Sequence, residues 1–259
     1  MAAFGNKRIK FCFCLLILDF MPIGISTGSC RHGVAGREKQ VKLISSFEKE
    51  IDGIEVIFAT PYELVNFNLH GRIAAELKKF SFVSIHYPFP RSVQASKINE
   101  SRITAKLKAI DKVIGLKHVV VHPASMKNWR NFKKAGVKIL LENQGPDIDT
   151  RWQKPSEMKK ILRKTGFGMC LDLNHAMGCG INPAEFLQFK SKIGQLHVNA
   201  TERIGIDAHK FLIDVSPKTI ALLKPVLREL RNAVWMSEVR YKHNPASKLK
   251  QEIKLFKSI

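Results

Sequence analysis

The feature that most constrains the fold of this chain is a regular alternation of short apolar runs and amphipathic stretches from Met21 onward. The segments between the runs, such as residues 37–50 and 100–116, carry apolar residues at helical spacing with lysine or glutamate on the other face. Near-continuous apolar strands that alternate with helices are typical of a parallel sheet covered by helices. The predicted strands are residues 23–26, 54–59, 82–86, 118–121, 138–141, 168–171, 194–198 and 234–237.

Helix start and stop signals agree with this alternation. Pro155 and Ser156 precede a predicted helix at 157–164 that Gly166 ends, and Asn182-Pro183 and Ser216-Pro217 precede predicted helices at 184–192 and 218–230. Eight strand and helix units in this length fit a closed barrel better than an open doubly wound sheet. We therefore predict the α/β class and a single (β/α)8 TIM barrel, in one domain over residues 21–259.

Residues 1–20 require a separate interpretation. The stretch "KRIKFCFCLLILDF" has a basic start and an apolar run, as a secretory signal does, but no small-residue cleavage site follows it. The run is also too short to span a bilayer. Because Met21 opens a credible first strand, we interpret residues 1–20 as a leader that is either not native or weakly signal-like. We expect no stable membrane association.

The charge of the chain indicates the class of partner, and its cysteine content indicates the compartment. The 43 lysines and arginines against 22 acidic residues give a formal charge of +21, which favours a polyanionic partner such as nucleic acid, a phosphorylated substrate or an acidic membrane surface. A generally basic surface is the simpler alternative. Five cysteines without a CxxC spacing argue against a disulfide framework and a thiolate zinc site. We predict a cytoplasmic monomer.

Polar residues that can bind metals end six consecutive predicted strands, from the third to the eighth. In a TIM barrel the carboxyl ends of the strands and the loops after them form the active face, so these residues are expected at one mouth. Three more such residues lie in the loops after the sixth and seventh strands. The strand-end residues are His86, His122, Glu142, Asp172, His197 and Glu238, and the loop residues are His175, Asp207 and His209.

This set of residue types predicts a metal site. Imidazole and carboxylate together suit zinc, manganese or iron. Carboxylates crowded at one mouth would repel each other in a low-dielectric site unless cations neutralised them. A single histidine at a strand end is more often a hydrogen-bonded structural residue, but nine coordinated positions favour a metal centre. His118 precedes His122 by four residues, about 13 Å along a strand, and is assigned to the opposite end of the barrel.

The local strings around these residues resemble one enzyme family. They are "HPAS" at 122–125, "LEN" at 141–143, "DLNHA" at 172–176, "HVN" at 197–199 and the Asp-x-His of 207–209. Together with the ordered set of nine residues, they resemble the endonuclease IV family of apurinic/apyrimidinic endonucleases, within the xylose isomerase-like barrel superfamily. The resemblance extends from Met21 to the end of the chain.

The resemblance implies a site with three Zn2+ ions, or Mn2+ or another divalent metal, in which Glu142 and Glu238 are the catalytic carboxylates. One ion would be bound by His86, His122 and Glu142, a second by Glu142, Asp172, His197 and Glu238, and a third by His175, Asp207 and His209. The implied reaction is hydrolysis of the phosphodiester 5′ to an abasic site in double-stranded DNA, a step of DNA repair. The candidate DNA contacts are Tyr62, Tyr87, Phe89, Arg91, Arg203 and Lys210.

Two other functions are alternatives to the endonuclease. Sugar isomerases and epimerases of the same superfamily need only Glu142, Asp172, His197 and Glu238 around one divalent metal, with two glutamates that move a proton. The remaining five residues favour the endonuclease, because a one-metal isomerase does not require them. A basic barrel that binds nucleic acid without cleaving it would have no use for nine assembled ligands.

Overall fold

The eight predicted strands form one closed parallel barrel in chain order, which confirms the (β/α)8 fold. The computed structural model describes residues 21–30, 34–147, 150–240 and 246–259, so the leader assigned to residues 1–20 lies outside the described residues. The last strand closes the barrel by pairing with the first, with Ile23 opposite Trp235. The strands are β1 Ile23–Ser26, β2 Gly53–Ile57, β3 Phe82–His86, β4 Leu116–Val121, β5 Ile139–Glu142, β6 Gly168–Asp172, β7 Ile193–His197 and β8 Val234–Ser237.

Helices follow the strands along the chain. Short 3-10 helices lie at Thr27–Cys30, Pro123–Ser125, Pro183–Lys192 and Leu212–Asp214. Among the described residues, none of the helices combines the length and apolar character needed to cross a bilayer. The α-helices are α1 Arg37–Ser45, α2 Pro61–Val65, α3 Gly71–Leu77, α4 Pro90–Ala95, α5 Glu100–Ile114, α6 Trp129–Ala135, α7 Pro155–Thr165, α8 Leu173–Gly178, α9 Pro217–Glu229 and α10 Ala246–Ser258.

The helix signals read from the sequence set the ends of α7 and α9. Gly166 ends α7 with a left-handed φ of 72°, which glycine adopts without steric cost. Ser216 begins α9 by accepting a hydrogen bond from the backbone N–H of Thr219. The helix predicted at 184–192 is instead a 3-10 helix, Pro183–Lys192. Asn182 still caps its start, by accepting a hydrogen bond from the backbone N–H of Ala184, and the backbone at Phe189 inside the segment is non-helical.

Side-chain alternation along the strands separates two environments. One set of side chains packs outward against the helices and forms the large apolar core, which includes Ile25, Val119 and Trp235. A smaller apolar cluster of Phe82, Val234 and Met236 joins the first residue of β3 to the first and third residues of β8. A third apolar cluster joins Val120, Leu140 and Cys170 of the neighbouring strands β4, β5 and β6, and the polar His122, Glu142 and Asp172 follow these residues two positions later.

Candidate metal centre

All nine residues predicted to bind metal converge at the carboxyl end of the barrel. Seven of them line a cavity of about 280 Å³ together with Gly28, Ile57, Phe89 and Arg240. The other two, Asp172 and His197, are fully buried beside it. The seven lining residues are His86, His122, Glu142, His175, Asp207, His209 and Glu238.

The side chains form three groups, and within each group one ligand atom per residue lies within 4.8 Å of the others. These groups have the membership that the resemblance implies. They are His86 with His122 and Glu142; Glu142 with Asp172, His197 and Glu238; and His175 with Asp207 and His209. Cys170 lies within the same distance of Glu142 and His197, but burial raises the pKa of its thiol well above the ordinary value. The thiol of Cys170 therefore stays protonated when no metal is bound.

Glu142 joins the first two groups through its two oxygens. Its Oε2 lies 2.9 Å from His86 Nε2 and 3.2 Å from His122 Nε2, whereas its Oε1 lies 2.8 Å from His197 Nδ1. Burial alone would raise the pKa of this carboxyl, but the surrounding histidines hold it well below its ordinary value. The side chain is therefore a carboxylate placed between two groups of possible ligands.

The two carboxylate oxygens of Asp172 have different surroundings. Its Oδ1 accepts a 2.7 Å hydrogen bond from the backbone N–H of His175, which caps the start of α8. Its Oδ2 is buried without a hydrogen-bond partner in the described part of the chain and lies 3.5 Å from His197 Nδ1. A buried carboxylate oxygen without a partner is energetically unfavourable unless a cation or donor compensates it. This unpartnered atom and the mixed imidazole and carboxylate donors fit a divalent metal.

Three histidines have a defined tautomer because one ring nitrogen faces a backbone carbonyl. The Nδ1 atoms of His86, His175 and His209 lie 2.9, 2.9 and 3.0 Å from the carbonyl oxygens of Tyr87, Asn143 and Glu238. A carbonyl can only accept, so each Nδ1 carries a proton, and in the neutral ring the lone pair faces the centre at Nε2. The Nδ1 of His209 also lies 2.8 Å from Asn199 Nδ2. Such outer contacts are how proteins orient histidine ligands.

The third group is fixed by a contact to the end of the last strand. Asp207 Oδ1 lies 2.8 Å from His209 Nε2, while Arg240 donates to Asp207 Oδ2 at 2.6 Å and to its backbone oxygen at 3.0 Å. Burial would raise the pKa of Asp207, but His209 and the other cations lower it strongly. His209 has a left-handed φ of 47°, unusual for a residue other than glycine. Arg240 thus holds the loop after β7 in place.

Protons occupy part of this centre when no cation is bound. Burial opposes the charged form of His86 and His175, but neighbouring carboxylates raise the pKa of each to about 9. At His122, burial and the adjacent histidines lower the pKa to about 3. At His197, burial opposes the charged form, but nearby carboxylates raise the pKa well above its ordinary value. A metal ion would have to displace a proton from each of His86, His175 and His197, because only the lone pair of a neutral imidazole binds metal.

The candidate DNA contacts lie in different environments. Tyr62 is 70% exposed, and Phe89 is half-buried in the cavity wall, with its ring 5.5 Å from that of His86. Arg91, Arg203 and Lys210 are exposed; Arg91 donates to the backbone oxygen of Asp147, and Lys210 pairs with Glu202. Contact of these five side chains with DNA stays a prediction.

Tyr87 is a correction to the predicted DNA contacts. Its side chain is fully buried, and its ring packs edge-on against Phe132 of α6 at 5.2 Å. The physical reason is alternation along the strand, because His86 points into the barrel and the next residue therefore points toward the helices. Tyr87 cannot contact a ligand at the mouth.

Sequence reasoning missed two residues next to the centre. Glu55 is a fully buried carboxylate in the middle of β2, and Arg240 follows Glu238 by two residues. A single charged residue inside an otherwise apolar predicted strand was the available signal for Glu55. His118, assigned to the opposite end of the barrel, is buried in the interior, with its Nε2 2.5 Å from Gln195 Oε1.

Comparison with known proteins supports the fold at low sequence similarity. A scan against models of protein families finds no match, and a search of curated proteins finds none either. Among solved structures, a D-tagatose 3-epimerase-like protein is 17% identical, with a TM-score of 0.63 over 92% of this chain and 99% of that one. Endonuclease IV from Thermus thermophilus is 17% identical, with a TM-score of 0.61 over 92% and 98%.

A further solved structure, 3-keto-D-glucoside 4-epimerase from E. coli, is 14% identical, with a TM-score of 0.62 over 92% of this chain and all of that one. At these identities the likeness concerns the fold, and a shared fold does not establish a shared activity. The chain therefore shares the closed barrel fold of these three solved structures.

Proposed function

We propose that this protein is a metal-dependent endonuclease that hydrolyses the DNA phosphodiester 5′ to an abasic site. The observation that carries the proposal is the third group, His175, Asp207 and His209, which lies beside the other two groups at the same mouth. An enzyme that uses one metal has no need of this group. A site with several cations suits phosphodiester hydrolysis, because the ions can stabilise the attacking and the leaving oxygens together.

The residues would hold three divalent ions in the three groups described, with zinc as the expected metal and Mn2+ or another divalent ion as alternatives. Such ions, when bound, supply Lewis acidity that activates water and stabilises negative charge on a phosphate. Glu142 keeps the first two groups together, since its two oxygens face different histidines. Although its side chain is fully buried, it borders the cavity, and its position between the two groups makes it the first of the two proposed catalytic carboxylates.

Glu238 is the second proposed catalytic carboxylate, and it reaches the cavity. Its Oε2 lies 2.9 Å from His197 Nδ1, and its side chain is 10% exposed, whereas Glu142 and Asp172 are fully buried. Gly28 borders it, because a Cβ at that position would lie 3.7 Å from Glu238 Oε1. The absence of a side chain there leaves this carboxylate open to a substrate, where it can accept and return a proton.

The position of Arg240 at the cavity favours an anionic substrate. It is the one lysine or arginine among the described residues that line the cavity, and its side chain is about half exposed. A guanidinium group has five N–H donors, and within the described part of the chain Asp207 accepts from two of its nitrogens, so other N–H groups can point to phosphate oxygens. The formal charge of +21 favours the same class of substrate, because duplex DNA is bound mostly through its phosphates.

The proposal is tested with a duplex that contains one synthetic abasic site, incubated with and without a chelator. We expect a single cut on the 5′ side that leaves a 3′-hydroxyl end, which the chelator abolishes and added zinc restores. Metal analysis should give about three ions per chain, as a three-ion centre requires. An undamaged duplex of the same sequence is the control. Fully metallated protein that leaves the abasic strand intact would contradict the proposal.

A sugar isomerase or epimerase that uses a divalent metal is the second candidate function. It is favoured by one observation, that Glu142, Asp172, His197 and Glu238 alone form a complete four-ligand group. Two solved structures that share the fold are an epimerase-like protein and an epimerase. This enzyme would hold about one ion per chain, and its substrate would be a ketose or an aldose. The same metal analysis therefore separates the two candidates.

A further inference from the structure

A buried carboxylate lies one layer below the metal centre and has no part in the proposed chemistry. Glu55, on β2, is fully buried. Its Oε2 accepts hydrogen bonds from Ser84 Oγ at 3.2 Å and Gln195 Nε2 at 2.7 Å. Its Oε1 makes no hydrogen bond within the described part of the chain and lies 3.3 Å from His197 Nε2. Burial of a carboxylate oxygen is unfavourable unless a donor faces it, and the imidazole is the nearest one.

His197 is oriented differently from the other histidines of the centre. His86, His175 and His209 turn Nε2 toward the centre and donate Nδ1–H to a backbone carbonyl. His197 turns Nδ1 toward the centre, 2.8 Å from Glu142 Oε1 and 2.9 Å from Glu238 Oε2. Its outer nitrogen is Nε2, and no backbone carbonyl is among the partners of that atom in the described residues. A side chain must take the place that the carbonyls take for the other three.

The tautomer of His197 decides whether it can bind metal. A neutral imidazole has one protonated nitrogen and one lone pair, so the lone pair can face the centre at Nδ1 only if Nε2 carries the proton. Gln195 favours the other tautomer, because its Nε2 lies 2.8 Å from His197 Nε2 and can donate to a lone pair there. The amide nitrogen of Gln195 cannot accept a hydrogen bond from a protonated His197 Nε2, whereas Glu55 Oε1 can.

We propose that Glu55 is a positioning residue for the metal centre. It accepts a hydrogen bond from the Nε2–H group of His197 and thereby holds the Nδ1 lone pair toward Glu142 and Glu238. This inference rests on the metal-binding part of the proposed function and not on the identity of the substrate. The carboxylate also keeps the ring from pairing with the Gln195 amide. Carboxylate partners of this kind increase the basicity of a histidine ligand and fix its ring.

The test is the zinc affinity of the full-length Glu55→Gln variant, measured by competition with a chelating dye. Glutamine has nearly the shape of glutamate but lacks its charge, so we expect zinc to bind about 10- to 100-fold more weakly, the usual effect of losing such a partner. Ser84→Ala is the matched control, because it removes the other side-chain contact of Glu55 Oε2 and leaves the Gln195 bond and the carboxylate intact. Wild-type zinc affinity in Glu55→Gln would overturn the proposal.

A second measurement uses the unsubstituted protein and does not depend on whether the variant folds. In the zinc-loaded protein with 15N-labelled histidine, the His197 resonances should show a protonated Nε2 and a metal-bound Nδ1. An unprotonated Nε2 would overturn the proposal. Neither readout involves DNA, so a protein that binds zinc through this tautomer but leaves abasic DNA intact would contradict the proposed function alone.

Discussion

At the scale of the residue, the spacing between Asp172 and His175 has a structural cause. Asp172 ends β6 and caps α8 through the backbone N–H of His175, so the two side chains diverge from one turn. One carboxylate oxygen stays on the helix, while the other faces the group that contains Glu142 and His197. The imidazole of His175 faces Asp207 and His209. Three positions of sequence thus separate the ligands of two different groups.

The two tasks of Asp172 can be separated by substitution. Asparagine caps helices as well as aspartate does, so Asp172→Asn should leave the stability of the metal-free protein within about 1 kcal/mol of the wild type. It should bind the ion of the second group far more weakly, because the free oxygen loses its charge. Metal analysis and denaturant unfolding measure the two effects.

Asp172→Ala should lose the cap as well, with a further destabilisation of about 1 kcal/mol. Equal stability of the two variants would show that the cap contributes nothing.

His118 gives a prediction about acid stability. Burial lowers its pKa to about 4, against an ordinary value of 6.5. Because the folded-state pKa is below the unfolded value, the unfolded chain binds the proton more readily. The stability that the neutral ring contributes is therefore complete above pH 6.5 and is lost as the pH falls toward 4, by about 1.4 kcal/mol per pH unit.

The matched variant is His118→Gln, whose amide can still donate to Gln195 Oε1. Urea unfolding of both proteins in the presence of a chelator, at pH 7 and pH 5, measures the difference. The wild type should lose more stability than the variant over this interval. The same loss in both proteins would mean that His118 does not titrate in this range.

Alternation explains which residues could be predicted and which could not. The nine candidate ligands were visible because each ends a predicted strand or lies in the segment that follows it, although for His175 that segment is α8 and not the predicted loop. Tyr87 was misassigned because the residue after a strand-end ligand points to the other side of the barrel wall. Glu55 was missed because it lies in mid-strand, where a sequence shows a charge in an apolar run but not what that charge faces.

At the scale of the element, pairing register decides which ligands meet. The register places Asp172 of β6 directly opposite His197 of β7 and shifts between Met169 and Cys170 to do so. Hydrophobic periodicity predicted all eight strands but not this shift, because a shift leaves the apolar pattern of each strand unchanged. The α-helices at 155–165 and 217–229 were predictable from capping residues and proline, whereas the 3-10 segment Pro183–Lys192 has the same signals at its start.

The loop after β7 gives the prediction that best separates the two candidate functions. His209 lies in this loop, outside every strand and helix, so His209→Ala should stay folded, with a thermal midpoint within a few degrees of the wild type. It should lose the third ion and most of the phosphodiesterase activity. The measurements are metal content per chain, thermal unfolding and incision of the abasic duplex. A sugar isomerase would keep its activity in this variant, and that outcome would favour the second candidate.

At the scale of the whole molecule, basic charge is spread well beyond the mouth. None of the basic side chains of α5, α6 and α7 pairs with a carboxylate within 4.0 Å in the described ranges. None of the described residues of these helices is among those that line the cavity. They carry Arg102, Lys106, Lys108, Lys112, Arg130, Lys133, Lys134, Lys159, Lys160, Arg163 and Lys164. Net charge read from the sequence therefore predicted a class of partner but not the side of the molecule that binds it.

Salt dependence should show which charges contact the substrate. Binding to the abasic duplex should weaken linearly in log affinity against log salt. Arg203→Glu, in the loop after β7, should reduce that slope by about 1, the value for one lost phosphate contact. Lys108→Glu, on α5, is the matched control and should leave the slope unchanged. The reverse result would place the DNA on the flank instead of the mouth.

The closure of the barrel by β1 and β8 has a consequence for the order of events during synthesis. The candidate ligands appear along the chain from residue 86 to residue 238, and the cavity that they line forms only when the eighth strand meets the first. An emerging polypeptide that stops before Glu238 would carry most of the ligands but no complete second group. Acquisition of the full set of ions would thus mark the completion of the barrel, so a metal-sensitive probe would report when a newly made molecule has matured.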